Sequence, residues 1–285
     1  MAQHEAIDGV VVRVRDTGDH SRYLQVLTAE KGRITMLSKG SHSMRSPQVA
    51  VSQLYTYGNF EYYQKGTVNI LKGGSAIQPF YALSENIDRL NLASYLCDVT
   101  CELTDEGEEA DNVLRLLLNS LYAVSTDRCP QELIKGAFEL RIAALSGYAP
   151  DLTGCTLCGK RESELFYLDV MNGALICEEC HARRQRIPKL MPGQEDLREA
   201  DVVGLLPASA CAAFRYCVYA PLERLLSFEL KDAQELRLFS KLAETDLLSH
   251  VGHGFDSLNF YHTLRESPSI SMGIPRKEQP LKEET

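Results

Sequence analysis

Four cysteines in this chain are spaced for metal chemistry. Cys155-Thr156-Leu157-Cys158 and Cys177-Glu178-Glu179-Cys180 are two Cys-x-x-Cys knuckles separated by 18 residues. Each knuckle puts two thiolates on one tight turn, and two turns complete a tetrahedron of soft ligands suited to zinc. Binding displaces the thiol protons and ties ligand geometry to folding. Four thiolates leave no open coordination position, so the expected ion is a single structural Zn2+, and a metal hydrolase is excluded. Gly159 supplies the left-handed residue such a turn often needs. His181, beside the second knuckle, is a competing ligand that reads instead as a surface residue. A metal-free cluster or a redox pair is the alternative reading. The remaining cysteines (Cys97, Cys101, Cys129, Cys211 and Cys217) read as core or half-buried thiols. An odd total of nine, with four in knuckles, fits a reducing compartment.

The elements around the knuckles change character along the chain. Residues 6–80 are strand-like. The first strand reads Ile7 to Arg15, with Val10, Val12 and Val14 alternating with Val11, Arg13 and Arg15. Tyr23–Thr28 and Ile34–Ser38 follow, joined by a turn at Glu30-Lys31-Gly32-Arg33. Gly40 to Pro47 reads as a loop, then Leu54–Tyr63 and Val68–Lys72 as two more strands. Five short strands with glycine turns predict a small barrel of the OB type, and an SH3-like barrel would give the same pattern. From Ser84, a candidate N-cap, the period becomes helical through Leu90, Leu92, Leu96 and Val99. An acidic connection over residues 102–111 precedes an amphipathic helix with Val113, Leu114, Leu117, Leu118 and Leu121. A further helix runs from about Gln131 to Ser146, stopped by Gly147 and Pro150. Leu165–Leu168 and Gly173–Ile176 predict paired strands between the knuckles. Helices resume near Ser209 and near Glu235, where Phe239, Leu242, Ala243 and Leu247 share a face. The tail after Leu264 reads as disordered.

The chain thus divides into residues 1–80 as a barrel, 81–154 and 187–265 as two parts of a helical domain, 155–186 as an inserted zinc module, and 266–285 as a tail. The fold class is α+β and multidomain. Of 285 residues, 44% are apolar and 24% charged, which is enough to form cores. Net charge is −9, but it is uneven: residues 1–80 carry nine basic and six acidic residues, and the rest is strongly acidic. A basic module on an acidic body is the asymmetry that bears on partners. No apolar run is long enough to span a membrane and no secretory leader is seen, so a cytoplasmic location is expected. There is no phosphate-binding Gly-x-x-x-x-Gly-Lys-Ser/Thr loop and no Gly-x-Ser-x-Gly elbow. The seven histidines are scattered. No catalytic set is apparent, and the chain reads as a non-enzyme.

The ordered motifs resemble the RecO family over residues 6–264. Val12-Arg13-Val14-Arg15-Asp16-Thr17-Gly18-Asp19-His20-Ser21-Arg22-Tyr23 looks like the family's opening hairpin. Leu27 to Ile34 and Ser38-Lys39-Gly40 resemble its next strands. Phe138-Glu139-Leu140-Arg141 followed by Ser146 to Leu152 resembles the helix entering the zinc module. Leu226 to Leu230 and Phe255 to Tyr261 resemble the closing helices. The loop after Lys39-Gly40 departs from the family pattern, because its basic cluster is thin: Lys39 and Arg45 are its only full cations. Arg183, Arg184 and Arg186 form a second basic run after the finger.

The resemblance implies an OB-fold barrel, a helical domain and an inserted four-cysteine zinc finger in a bacterial, nucleoid-associated DNA repair and recombination mediator. It implies binding of single- and double-stranded DNA, annealing of complementary strands, and partnership with RecR and with the acidic, apolar tail of single-stranded DNA-binding protein, so that RecA is loaded indirectly. On that reading the phosphate-binding candidates are Arg13, Arg15, Arg22, Lys31, Lys39 and Arg45. Tyr55, Tyr57, Phe60, Tyr62 and Tyr63 are stacking candidates, about three of which alternation would bury. Two other classes compete. A zinc-ribbon adaptor that binds only protein would suit the acidic body. A zinc-finger GTPase activator would place an arginine five residues after the last cysteine, where this chain has Gln185.

Overall fold

The computed structural model describes residues 4–17, 21–40, 48–186 and 203–266. Strands β1 (His4–Thr17), β2 (Ser21–Thr28), β3 (Gly32–Ser38), β4 (Thr56–Lys65) and β5 (Val68–Pro79) form a closed barrel in the order β1-β2-β3-β5-β4. β3 pairs with β5 in parallel and β4 closes onto β1. That order, with one parallel pair, is an OB fold and resolves the choice left open by strand count.

Its interior is filled by Ile7, Val11, Leu24, Val26, Ile34, Met36, Val51, Phe60, Tyr62 and Leu71. β1 is buried on both faces over Val10-Val11-Val12, with Val11 inside the barrel and Val10 and Val12 against the helices. A register shift between Val11 and Arg13 then turns the strand. A bulge of this kind reverses the alternation, so Val14 packs on the barrel interior rather than sharing the face of Val10 and Val12.

The helical part comprises α1 (Ile87–Glu102), α2 (Asp111–Ser125), α3 (Gln131–Leu145), α5 (Ala208–Tyr219), α6 (Ala233–Val251) and α7 (Asp256–Glu266), with α4 (Glu178–Arg186) in the finger. Ser84 is not the cap of α1. It lies in a 3-10 turn, Tyr81–Glu85, and the Asn86 side chain accepts from the N–H groups of Asp88 and Arg89 at 2.8 and 3.1 Å. Both residues are suitable cap types, and the extra turn moves the start along the chain. The acidic connection fastens onto the β2–β3 turn through Arg33 N to Asp105 O, Gly107 N to Lys31 O and Ala110 N to Ala29 O.

Near the knuckles, β6 (Asp151–Cys155), β7 (Leu165–Asp169), β8 (Ala174–Cys177) and β9 (Val203–Pro207) form one sheet in the order β6-β8-β7-β9. β7 and β8 pair antiparallel as expected. β9, too short and weakly patterned to stand out in the sequence, returns to pair with β7. Much of the loop after Gly40, and the expected disordered tail, lie outside the described residues. Among the described residues no helix is long and apolar enough to cross a membrane.

Candidate metal centre and barrel surface

The first knuckle is shaped by its own backbone. Gly159 has φ +75° and its N–H donates to Cys155 O at 2.7 Å. Cys155 N–H in turn reaches Lys160 O at 2.8 Å, folding Cys158 back beside Cys155. The second knuckle spans the end of β8 and the first turn of α4, where unsatisfied N–H groups favour thiolate. Lys160 and Glu179 join the two turns at 3.0 Å. All four sulfurs lie within 4.8 Å of one another, and Cys158 Sγ is 3.7 Å from Cys177 Sγ. A zinc ion about 2.3 Å from each sulfur would set neighbours about 3.8 Å apart, so the cluster fits a tetrahedral metal.

The thiols are electrostatically coupled. Burial would raise Cys155, but the backbone N–H groups of Cys177, Leu157 and Cys158 outweigh it and bring it down to about 6. Cys180 is pushed up to about 12, first by its contact with Cys158 and then by burial. One thiolate therefore forms readily and resists the next. A dication at the centre removes that repulsion. His181 is not part of the cluster: it stacks on Tyr167 at 3.7 Å and bonds Gln185. Cys97, Cys101, Cys211 and Cys217 are buried, and Cys129 is half-buried.

The barrel cations fare differently from one another. Arg13 and Arg15 project from β1 opposite Gln25 and Tyr23 of β2, and Gln25 faces Thr35 of β3. These five residues line a notch of about 150 Å³ on the outer face of three strands. Arg13 also donates to Asp98 of α1 at 2.7 Å. Arg15 is exposed and has no carboxylate partner among the described residues. Arg22 pairs with Asp16 at 2.7 Å. Lys31, at the opposite end of β2, is held by the Glu5 carboxylate and by the Tyr62 hydroxyl at 3.0 Å. Those bonds raise the Lys31 pKa and lower that of Glu5. Lys39 is exposed, and Arg45 lies outside the described residues. The structure therefore groups Arg13 and Arg15, leaves Lys39 at the end of β3 with no carboxylate partner among the described residues, and sets Lys31 apart. Of the candidate aromatics, Tyr55, Phe60 and Tyr62 are buried, while Tyr57 and Tyr63 are half-buried. Tyr23, which the sequence reading did not single out as a stacking residue, is the exposed ring in the notch.

Sequence reading also missed a buried polar cluster. Lys135 of α3 is 1% exposed and lies 2.8 Å from Glu139 and 2.6 Å from Glu244. Tyr95 donates to Glu139 at 2.6 Å. Burial pushes Glu139 up to about 7 against the pull of Lys135. The signal was a lysine and a glutamate at i and i+4 in a helix apolar on nearly every side.

Comparison with known proteins accords with this architecture. Residues 1–80 match the family described as recombination protein O N terminal, and residues 84–200 match recombination protein O C terminal. The chain is 26% identical over 257 residues to the DNA repair protein RecO of Acetivibrio thermocellus, covering 90% of this chain and 95% of that one. It is 30% identical over 174 residues to the DNA repair protein RecO of Alkaliphilus metalliredigens, covering 61% and 71%. The match to the protein of the same name from Desulforamulus reducens is 24% identical, over 87% of this chain and 97% of that one. With both family halves matched in order, and a closed barrel ahead of a helical part that carries four convergent cysteines, the chain belongs to the RecO family of DNA repair proteins.

Proposed function

We propose that this protein binds DNA on its barrel and acts without covalent chemistry as a recombination mediator. The observation that carries the reading is the notch of Arg13, Arg15, Tyr23, Gln25 and Thr35. Guanidinium groups suit phosphate oxygens, an exposed tyrosine offers a face for a base, and neither demands a particular sequence. Lys39 extends the positive surface from the end of β3. A protein that neutralises two strands and holds them together lets base pairing drive annealing of single strands into duplex.

The helical part would take the protein partners, RecR and the acidic, apolar tail of single-stranded DNA-binding protein, with RecA loaded indirectly. For the tail, a groove of about 670 Å³ between α3, α6 and α7 sets Arg237, Lys241 and Arg265 beside Tyr261, with Glu132, which pairs with Arg265, and Glu244 also in its wall. We assign one structural Zn2+ to Cys155, Cys158, Cys177 and Cys180. Residues 155–186 then serve as a module that braces the helical domain on either side of it in sequence.

Fluorescence anisotropy of a labelled single-stranded oligonucleotide across a salt series tests the DNA reading. Binding should weaken steeply as salt rises, and Arg15→Ala/Lys39→Ala should weaken it about tenfold at low salt and flatten the dependence. No binding at low salt would overturn this reading and favour a zinc-ribbon adaptor that touches only protein. Elemental analysis should return one zinc per chain.

A further inference from the structure

Most of the described barrel cations proposed to meet phosphate already have a carboxylate. Arg22 has Asp16, Lys31 has Glu5 and Arg13 has Asp98. The last pair differs from the others because it crosses between two parts of the fold. Arg13 belongs to β1 and Asp98 to α1, and the second Asp98 oxygen accepts from Ser257 of α7 at 2.8 Å. The pair is not sealed: the Arg13 side chain is 41% exposed and that of Asp98 is 30% exposed. Arg13 also lines the notch beside Arg15, which has no such partner among the described residues.

We infer that Asp98 is an internal competitor of the DNA backbone: it holds Arg13 in place at rest and yields it to a phosphate when nucleic acid enters the notch. This inference rests on the DNA-binding reading above. A guanidinium that exchanges one oxyanion for another keeps its hydrogen bonds, so the exchange is nearly balanced in energy. The ion count is what changes. A free arginine reaching a phosphate releases counterions from the DNA. An arginine taken from a carboxylate leaves that carboxylate to recruit a cation from solution, which cancels most of the release. Arg13 therefore adds little to the salt dependence of binding while Asp98 is present. Its departure also leaves the Asp98–Ser257 bond without a link to β1, so occupancy of the notch loosens one polar tie between the barrel and helices α1 and α7.

The test is the same anisotropy titration, on full-length wild type, Asp98→Asn, Asp98→Asn/Arg13→Ala and Ser257→Ala, with circular dichroism melts of each. Asp98→Asn should bind oligothymidine about two- to fivefold tighter at low salt, the worth of a part-exposed ion pair. Its logarithmic salt slope should be steeper by about 0.7, the value for one more phosphate contact on a single strand. Adding Arg13→Ala should abolish both gains, and Ser257→Ala should leave the slope as in wild type. If wild type binds and Asp98→Asn binds with the same affinity and slope, competition by Asp98 is wrong while DNA binding stands. If none of the four proteins binds, both readings fall. Glu61→Gln, which removes one exposed carboxylate from β4 without freeing any of these cations, is the control for net charge. A gain there equal to that of Asp98→Asn would reduce the effect to net charge and overturn the assignment.

Discussion

Asp246 of α6 is fully buried, and neither of its carboxylate oxygens has a hydrogen-bond partner among the described residues. His250 is 3.9 Å away, with its own pKa lowered by burial, and its ring stacks on Tyr148. Burial first, and the Glu139 carboxyl next, push Asp246 up to about 7. Glu139 is in turn paired with Lys135 of α3 at 2.8 Å, Lys135 reaches Glu244 of α6 at 2.6 Å, and His262 of α7 bonds Glu244. A carboxyl whose folded pKa is raised holds a proton that the unfolded chain has lost. Its stabilising share is complete below about pH 4 and falls away as pH climbs towards 7. Asp246→Asn should therefore raise stability at pH 8 by about 1–3 kcal/mol and leave it unchanged near pH 4. Urea unfolding at the two pH values measures this. Equal shifts at both would mean that Asp246 is already ionised in the folded protein.

At the scale of elements, α3 is the helix about which the others are arranged. It packs on α1, α2, α5 and α6, and residues 133–143 are all buried. Gly136 is what lets α6 approach: a Cβ there would come within 2.6 Å of the Phe239 ring. Alanine in a helix is intrinsically favoured by up to about 1 kcal/mol over glycine. Overpacking against a fixed aromatic costs about 1–3 kcal/mol, and the ring is itself wedged edge-on against Phe214 and Phe228. Gly136→Ala should accordingly lower the urea midpoint, and a higher midpoint would mean that Phe239 has room to move. This packing explains what could be read from the sequence. The five strands, the apolar face of Phe239, Leu242, Ala243 and Leu247, and the two knuckles all follow from local spacing and were legible. Lys135, Glu139 and Asp246 were not, because a charged residue on a helix normally marks its solvent face. The reversal at Val12 comes from a bulge that the run of valines does not announce, and Asn86 displaced Ser84 as cap because of a turn that only the assembled structure contains. The phosphate candidates were named by residue type alone; which of them carry carboxylates is decided by register and by α1.

Two cores run through the described residues, and three of the four knuckle cysteines belong to the larger one, with Cys158 exposed at its edge. The barrel interior is a cluster of its own, whereas Val10, Val12, Leu27 and Tyr55 on its outer side join a cluster that continues through the helices to Cys155, Phe166, Cys177 and Cys180. Arg215 of α5 fastens the finger to the helices by donating to Leu152 O at 2.7 Å and Arg161 O at 2.9 Å, with its guanidinium over Phe166. Arg141 of α3 likewise donates to Cys217 O at 2.6 Å. Loss of a metal held by these cysteines would thus open the end of a shared core, not a separate appendage. A structural zinc site supplies more free energy than the few kcal/mol by which a domain is stable. Chelation, or Cys177→Ser, should lower the midpoint of the helical circular dichroism melt by about 10 °C or more. The barrel, with its own interior, should keep its fold well below that temperature, so salt-sensitive binding of oligothymidine should survive chelation in the cold. A helical melt indifferent to chelator would show that the finger folds apart from the helices. Loss of DNA binding with the melt intact would place the metal centre in the DNA interface instead of behind it.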